Sequence, residues 1–215
     1  MSLTLLTSGT TKDPKKITHS WEYMHNAAQR SIKTIGLTKD DIVLDVFPGN
    51  TIAHYTVTAM PAHQVGCNLI SAKFEATDYL KKFNQYKPTY IALIPQHWEL
   101  LKKLPEWNQM DLSSVRYMVT GSGPVPQKMI DDFISKGVKT VANWYGMTEQ
   151  PPPVLIGYNS EQFDFNPTSG YTVEFSDCGE CIVNGFYTGD LFDIVTKKFL
   201  MRKNTLSNTK TWKNS

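Results

Sequence analysis

The hydrophobic pattern predicts an α/β fold: a mostly parallel sheet flanked by helices on both faces, with a small β-rich section toward the C-terminus. Between Ile42 and Asn143, short apolar runs alternate with segments of helical period, which is the pattern of repeated βα crossovers. Those runs are apolar throughout, as expected of strands covered on both faces. Beyond Pro153 the pattern changes to short strands separated by Gly turns, which points to antiparallel pairing.

Taken in order, Leu3 to Leu6 reads as a strand, and a Ser/Thr/Lys loop runs from Thr7 to Lys16. A helix follows, with Ser20 as its cap, Met24, Ala28, Ile32 and Ile35 on its apolar face, and Gly36 as its stop. Ile42 to Phe47 is a strand, and Thr51 to Val65 is a helix interrupted near Pro61. Leu69 to Ser71 and Thr89 to Ile94 are strands on either side of a helix from Ala76 to Tyr86. A helix near Trp98 to Leu104, a strand from Val115 to Thr120, a helix from Gln127 to Lys136 and a strand from Val138 to Asn143 complete the alternation. Short strands are then expected around Val154 to Tyr158, Thr172 to Phe175 and Cys181 to Val183. Residues 1–153 form the α/β core of this reading, 154–203 its β-rich section and 204–215 a polar tail that reads as disordered.

The 22 basic and 20 acidic residues leave a net charge of +2, so no global field gathers nucleic acid or an anionic membrane. No run approaches a membrane span and the N-terminus lacks a basic leader, so the expected compartment is the cytoplasm. Cys67, Cys178 and Cys181 are too few for a disulfide framework. Cys178 and Cys181 have the spacing of half a zinc site, but no second pair accompanies them, which favours a structural role.

Three segments carry candidate chemistry, and each is also compatible with ordinary turn geometry. Thr7, Ser8, Gly9, Thr10 and Thr11, followed by Lys15, offer hydroxyls, backbone N–H groups and a cation to a polyphosphate, without the spacing of a P-loop. Asn143, Trp144, Tyr145, Gly146, Met147, Thr148 and Glu149 combine aromatic rings, a hydroxyl and a carboxylate able to hold Mg²⁺ beside phosphates. Thr188, Gly189 and Asp190 place a carboxylate where ribose hydroxyls could donate to it. Gly121, Ser122, Gly123 and Pro124 follow directly on a predicted strand, as the second segment does, and ligands in parallel sheets gather at such strand ends.

The ordered set resembles the adenylate-forming superfamily of acyl-CoA synthetases, luciferases and peptide-synthetase adenylation domains, over Leu5 to about Arg202. The resemblance implies that Ser8, Thr10, Thr11 and Lys15 cradle ATP phosphates and that Tyr145 stacks on adenine beside the 121–124 turn, which Arg116 and Tyr117 precede. It further implies that Thr148 contacts the α-phosphate, Glu149 holds Mg²⁺, Asp190 binds ribose, and Arg202 is the arginine near the hinge of the domain. Lys15, Thr148, Glu149 and Arg202 are the expected catalytic set, ATP or AMP and Mg²⁺ the expected ligands, and a small-molecule carboxylate the expected substrate. His54 lies near where relatives line the acyl pocket, at an unusual spacing from Pro48.

Two departures stand out. Lys12 and Lys16 replace glycines usual in the phosphate loop, and nothing matches the N-terminal region or the C-terminal lid domain with its lysine. The expectation is therefore a truncated core that activates a carboxylate as acyl-AMP, with the CoA thioester step the doubtful half. A non-catalytic ATP- or AMP-binding module, or one subunit of a split ligase completed by a partner chain or homo-oligomer, remains the alternative.

Overall fold

The computed structural model describes residues 2–6 and 15–203. Thr7, Ser8, Gly9, Thr10, Thr11 and Lys12 lie outside the described residues, as does 204–215. The first elements are an antiparallel hairpin, β1 (Ser2–Leu6) and β2 (Lys16–Ser20), so the expected loop gives way to a strand at Lys16. Helix α1 (Trp21–Ile35) starts where predicted, because Ser20 Oγ accepts the Tyr23 N–H at 3.1 Å. It ends at Gly36, whose φ of 63° suits a residue without a Cβ.

Six strands form the main sheet in the order β4 (Asn68–Ser71), β3 (Ile42–Asp45), β5 (Tyr90–Ala92), β6 (Tyr117–Gly121), β7 (Val141–Tyr145), β8 (Leu155–Tyr158). The first five are parallel, and β8 pairs antiparallel with β7. β8 is thus the edge of the large sheet, although its sequence pattern groups it with the short strands that follow. The helices of the alternation are α2 (Met60–Val65), α3 (Ala76–Tyr86), α4 (Pro95–Leu101) and α5 (Gln127–Ser135). α4 begins three residues earlier than the hydrophobic period predicts, because Pro95 fits the first turn of a helix.

Successive residues of the parallel strands enter opposite cores, which is why the runs are apolar throughout. Leu44, Ile91, Met118 and Val141 join Phe83, Leu101 and Phe133 on one face. Val43, Tyr90, Val119 and Ala142 join Val57 and Trp144 on the other. Each fully buried Leu or Phe contributes about 2–3 kcal/mol.

The predicted interruption near Pro61 takes a specific form. Residues His54–Ala59 make a wide π-helical turn that runs directly into α2. Pro61 has no N–H for the carbonyl four residues before it, that of Val57, and this carbonyl instead accepts the buried Tyr90 hydroxyl at 2.8 Å.

The second sheet is antiparallel, ordered β12 (Lys198–Arg202), β11 (Phe186–Asp193), β10 (Glu180–Val183), β9 (Val173–Phe175). Its core of Phe163, Cys181, Val183 and Phe192 meets Tyr145 and Leu155 from the large sheet, joining the two sheets. β11 and β12 were not expected. The inward positions of β11 are Thr188, Asp190 and Phe192, two of them polar, so the hydrophobic alternation is hidden.

Candidate functional site

The C-terminal ends of β6 and β7 lie side by side, with Gly121 opposite Trp144. A Cβ on Gly121 would stand 2.3 Å from the Trp144 carbonyl oxygen, so only glycine permits this approach. Ser122 follows with φ of 66°, a left-handed conformation costly for a non-glycine residue, and Gly123 and Pro124 complete the turn. Beside it, Asn143 is 2% exposed and its Oδ1 has no hydrogen-bond partner, while its Nδ2 donates to the Glu161 carbonyl at 3.5 Å. Pro124, Val125, Asn143, Lys198 and Phe199 line a cavity of about 390 Å³.

β7 runs into a folded loop that carries Gly146, Met147, Thr148 and Glu149. A Cβ on Gly146 would lie 2.7 Å from Pro152, and the Met147 N–H donates to the Gln150 carbonyl at 2.9 Å, so the loop closes on itself. Thr148 and Glu149 are half-buried at its tip. Lys15 is exposed one residue before β2.

Asp190 of β11 lies against this loop and is 5% exposed. The Tyr145 hydroxyl donates to its Oδ2 at 2.9 Å, and Arg202 Nε, across the β11–β12 pair, donates to Oδ1 at 2.8 Å. Burial raises the Asp190 carboxyl above the usual carboxylate range, with the Glu149 charge adding to the rise and Arg202 and Tyr145 opposing it. The Tyr145 ring is itself buried, edge-on to Phe192 at 5.0 Å between centroids. The turn before Asp190 is fixed by Glu180, which accepts the Gly189 N–H at 3.0 Å and pairs with Lys203.

The structure thus brings Gly121 to Pro124, Asn143 to Glu149, Asp190 and Arg202 to one end of the sheet. It separates Arg116 from them. Arg116 lies beyond the opposite end of β6, where it bonds both oxygens of Asp41 at 2.6 and 2.7 Å and caps α1 through the carbonyls of Ile35 and Gly36. His54 Nδ1 lies 2.7 Å from Asp45 Oδ2 at the end of β3. Its chain neighbours Ile52 and Ala53, with Phe47, Val57, Leu93 and Trp144, line a second cavity of about 50 Å³. Cys178 and Cys181 are free thiols, one exposed and one buried. Among the described residues no group of three His, Cys, Asp or Glu forms a ready metal cage, and no helix is long and apolar enough to cross a membrane.

Sequence reasoning missed Glu180 and His19, the second of which donates from Nε2 to the Thr148 carbonyl at 2.6 Å. A lone His beside a helix cap carries no signal that it contacts a residue 129 positions away.

The strand ends of a parallel sheet, here with a small β section folded over them, are where open α/β sheets bind their ligands. The family model for AMP-binding enzymes matches residues 2–180, and the chain belongs to that family. It is 33% identical over 147 residues to an indoleacetate–CoA ligase of Aromatoleum aromaticum, covering 68% of this chain and 29% of that protein. It is 30% identical over 146 residues to a long-chain-fatty-acid–CoA ligase of Mycobacterium tuberculosis, covering 67% of this chain and again 29% of the relative. The chain therefore spans about three-tenths of the length of these curated relatives. Among solved structures, O-succinylbenzoate CoA synthetase from Bacillus subtilis in complex with ATP and magnesium superposes with a TM-score of 0.77 at 20% identity, over 94% of this chain and 50% of that one. The N-terminal domain of FACL13 from Mycobacterium tuberculosis gives 0.79 at 22% identity, over 93% and 60%. These likenesses show the fold.

Proposed function

We propose that this chain is the nucleotide-binding core of an adenylating enzyme, which joins a carboxylate to the AMP moiety of ATP and releases pyrophosphate. The observation that carries this reading is the convergence at one sheet end of the 143–149 segment, with Asn143 and the Thr148–Glu149 turn, and Asp190, some forty residues further on, joined by the Tyr145–Asp190 bond. In this reading the buried, unpartnered Asn143 Oδ1 accepts from the adenine amino group beside the 390 Å³ cavity. Tyr145 backs the site and orients Asp190, whose oxygens keep lone pairs for ribose hydroxyls.

Thr148 and Glu149 face the phosphates. A magnesium ion fits here if Glu149 shares it with phosphate oxygens, since Mg²⁺ commonly takes one or two carboxylates and its remaining ligands from substrate and water. The ion would neutralise phosphate charge as the pyrophosphate leaves. The chain's own contribution is positioning: Thr148 and Arg202 hold the α-phosphate and ribose side while the carboxylate oxygen attacks phosphorus in line. Lys15 adds positive charge, and the apolar cleft beside Gly121 and Gly146, lined by the His54 neighbours Ile52 and Ala53, marks the side from which the acyl group approaches. A cytoplasmic setting, a partner chain and use of CoA belong to the same proposal, the last because the relatives are named CoA ligases.

Carboxylate-dependent exchange of labelled pyrophosphate into ATP, across fatty, aromatic and amino acids, tests the activity without requiring CoA. Exchange with an apolar acid is the expected result. Silence with AMP binding intact would replace the enzyme reading by a binding module, and absence of both would refute the site.

A further inference from the structure

The loop that carries Thr148 and Glu149 is held from outside by one face of α1 and by His19 in the strand before it. His19 donates from Nε2 to the Thr148 carbonyl at 2.6 Å. One turn on, Tyr23 stacks on the His19 ring, with centroids 4.9 Å apart, and its hydroxyl reaches Gln150 Oε1 at 3.4 Å. Two turns further, Arg30 donates to the Tyr171 hydroxyl at 2.7 Å, and that hydroxyl donates to the Pro151 carbonyl at 2.7 Å. The spacing of seven residues puts Tyr23 and Arg30 on one face of α1, with His19 of β2 beside Tyr23, and the three meet the loop at 148, 150 and, through Tyr171, 151.

From this geometry we infer that His19 is a positioning residue: with Tyr23 it fixes the Thr148 carbonyl and so sets where the Glu149 carboxylate stands. The inference rests on the proposed role of Glu149. Three features make the contact more than a surface bond. The carbonyl belongs to the residue directly before Glu149, so a rotation of the 148–149 peptide swings that side chain. The loop's only other ties near its tip, among the described residues, are its own Met147–Gln150 bond and the grip on Gln150 and Pro151. Finally, His19 lies next to the end of β2, whose partner strand β1 leads into the Ser/Thr-rich segment, so the bond joins the stem of one candidate phosphate segment to the other. The Thr148 carbonyl can only accept, so Nε2 carries the hydrogen of this bond.

The test uses the whole chain with His19→Ala and His19→Gln, the second keeping an N–H donor near the position of Nε2. Calorimetry would measure ATP with Mg²⁺ and, separately, AMP without metal; hydrogen exchange would follow the amides of 148–150. The expected result for His19→Ala is about tenfold weaker binding of Mg²⁺–ATP, the loss of roughly one such hydrogen bond. Metal-free AMP should bind within twofold of wild type, with faster exchange at 148–150. His19→Gln should recover most of both losses. Equal weakening of ATP and AMP, or a His19→Gln variant no better than His19→Ala, would overturn the inference, since a general packing role predicts those. Unchanged Mg²⁺–ATP affinity and exchange in His19→Ala would overturn it as well. If wild type binds neither nucleotide, the site reading falls, and exchange at 148–150 alone then decides whether the latch stands.

Discussion

Two Asp–Arg pairs, one beyond each end of the sheet's working axis, have nearly the same surroundings by exposure and opposite electrostatics. Asp41 is 4% exposed and Asp190 is 5% exposed, and each meets one arginine. Asp41 also accepts the Thr38 N–H at 2.8 Å and the Thr89 hydroxyl at 2.7 Å, and Arg116 grips both its oxygens. Burial raises its carboxyl, but these hydrogen bonds and the Arg116 charge outweigh that and bring it to about 2. Asp190 has one bond from Tyr145 and one from Arg202, with Glu149 close enough to repel it, and burial wins. A saturated buried carboxylate is a structural fastener. An under-saturated one, at a strand end beside a cavity, still has hydrogen-bonding capacity for a ligand.

The comparison can be broken most forcefully at Asp41. Asp41→Asn leaves Arg116 without its counter-charge and should cost about 2–4 kcal/mol by chemical denaturation at neutral pH. The folded pKa of Asp41 lies below its unfolded value, so its stabilisation is present above the unfolded value and is lost as pH falls from 3.8 toward about 2. An acid titration of stability should lose about 2 kcal/mol in that window in wild type and not in the variant. Equal acid sensitivity in the two proteins would mean that Asp41 is not the fastener described.

Asp190→Asn should behave in the opposite way. The folded pKa of Asp190 is raised, so its contribution favours the fold at low pH and is lost as pH rises through the folded value. Removing its charge at neutral pH should therefore leave stability unchanged or slightly raised, while AMP affinity falls roughly tenfold through the lost ribose bonds. A stability loss as large as that of Asp41→Asn, with AMP binding unchanged, would erase the distinction between the two pairs.

Glu149→Gln sharpens the same contrast from the neighbouring side. Removing its charge should move the Asp190 carboxyl down toward its ordinary value, readable by carbon NMR of the side chain. It should weaken Mg²⁺–ATP several-fold and leave metal-free AMP binding within twofold. The smallest effect is expected from Tyr145→Phe. It removes one hydrogen bond to Asp190, should cost about 1 kcal/mol, and should weaken AMP binding about threefold.

The elements hardest to read from sequence share one physical feature with the site. β2 turns Ile17 and His19 inward, and β11 turns Thr188, Asp190 and Phe192 inward. Polar side chains that serve the site occupy positions where alternation requires apolar ones, so period-based reading fails there. The opposite holds for Leu44, Ile91, Met118 and Val141 and their neighbours, whose apolar runs define the parallel sheet because both faces are covered.

The sequence by itself determined the α/β class, the helix limits at Ser20 and Gly36, and the order of the Gly121, Tyr145 and Asp190 segments, because capping, hydrophobic period and short motifs are local properties. Only the tertiary structure decided that Arg116 is a fastener beyond the far end of β6, that β8 closes the large sheet, that Asp190 is under-saturated, and that His19 holds Thr148. Those are contacts between residues far apart in the chain, and burial, charge balance and carbonyl partners exist only once the segments are packed together.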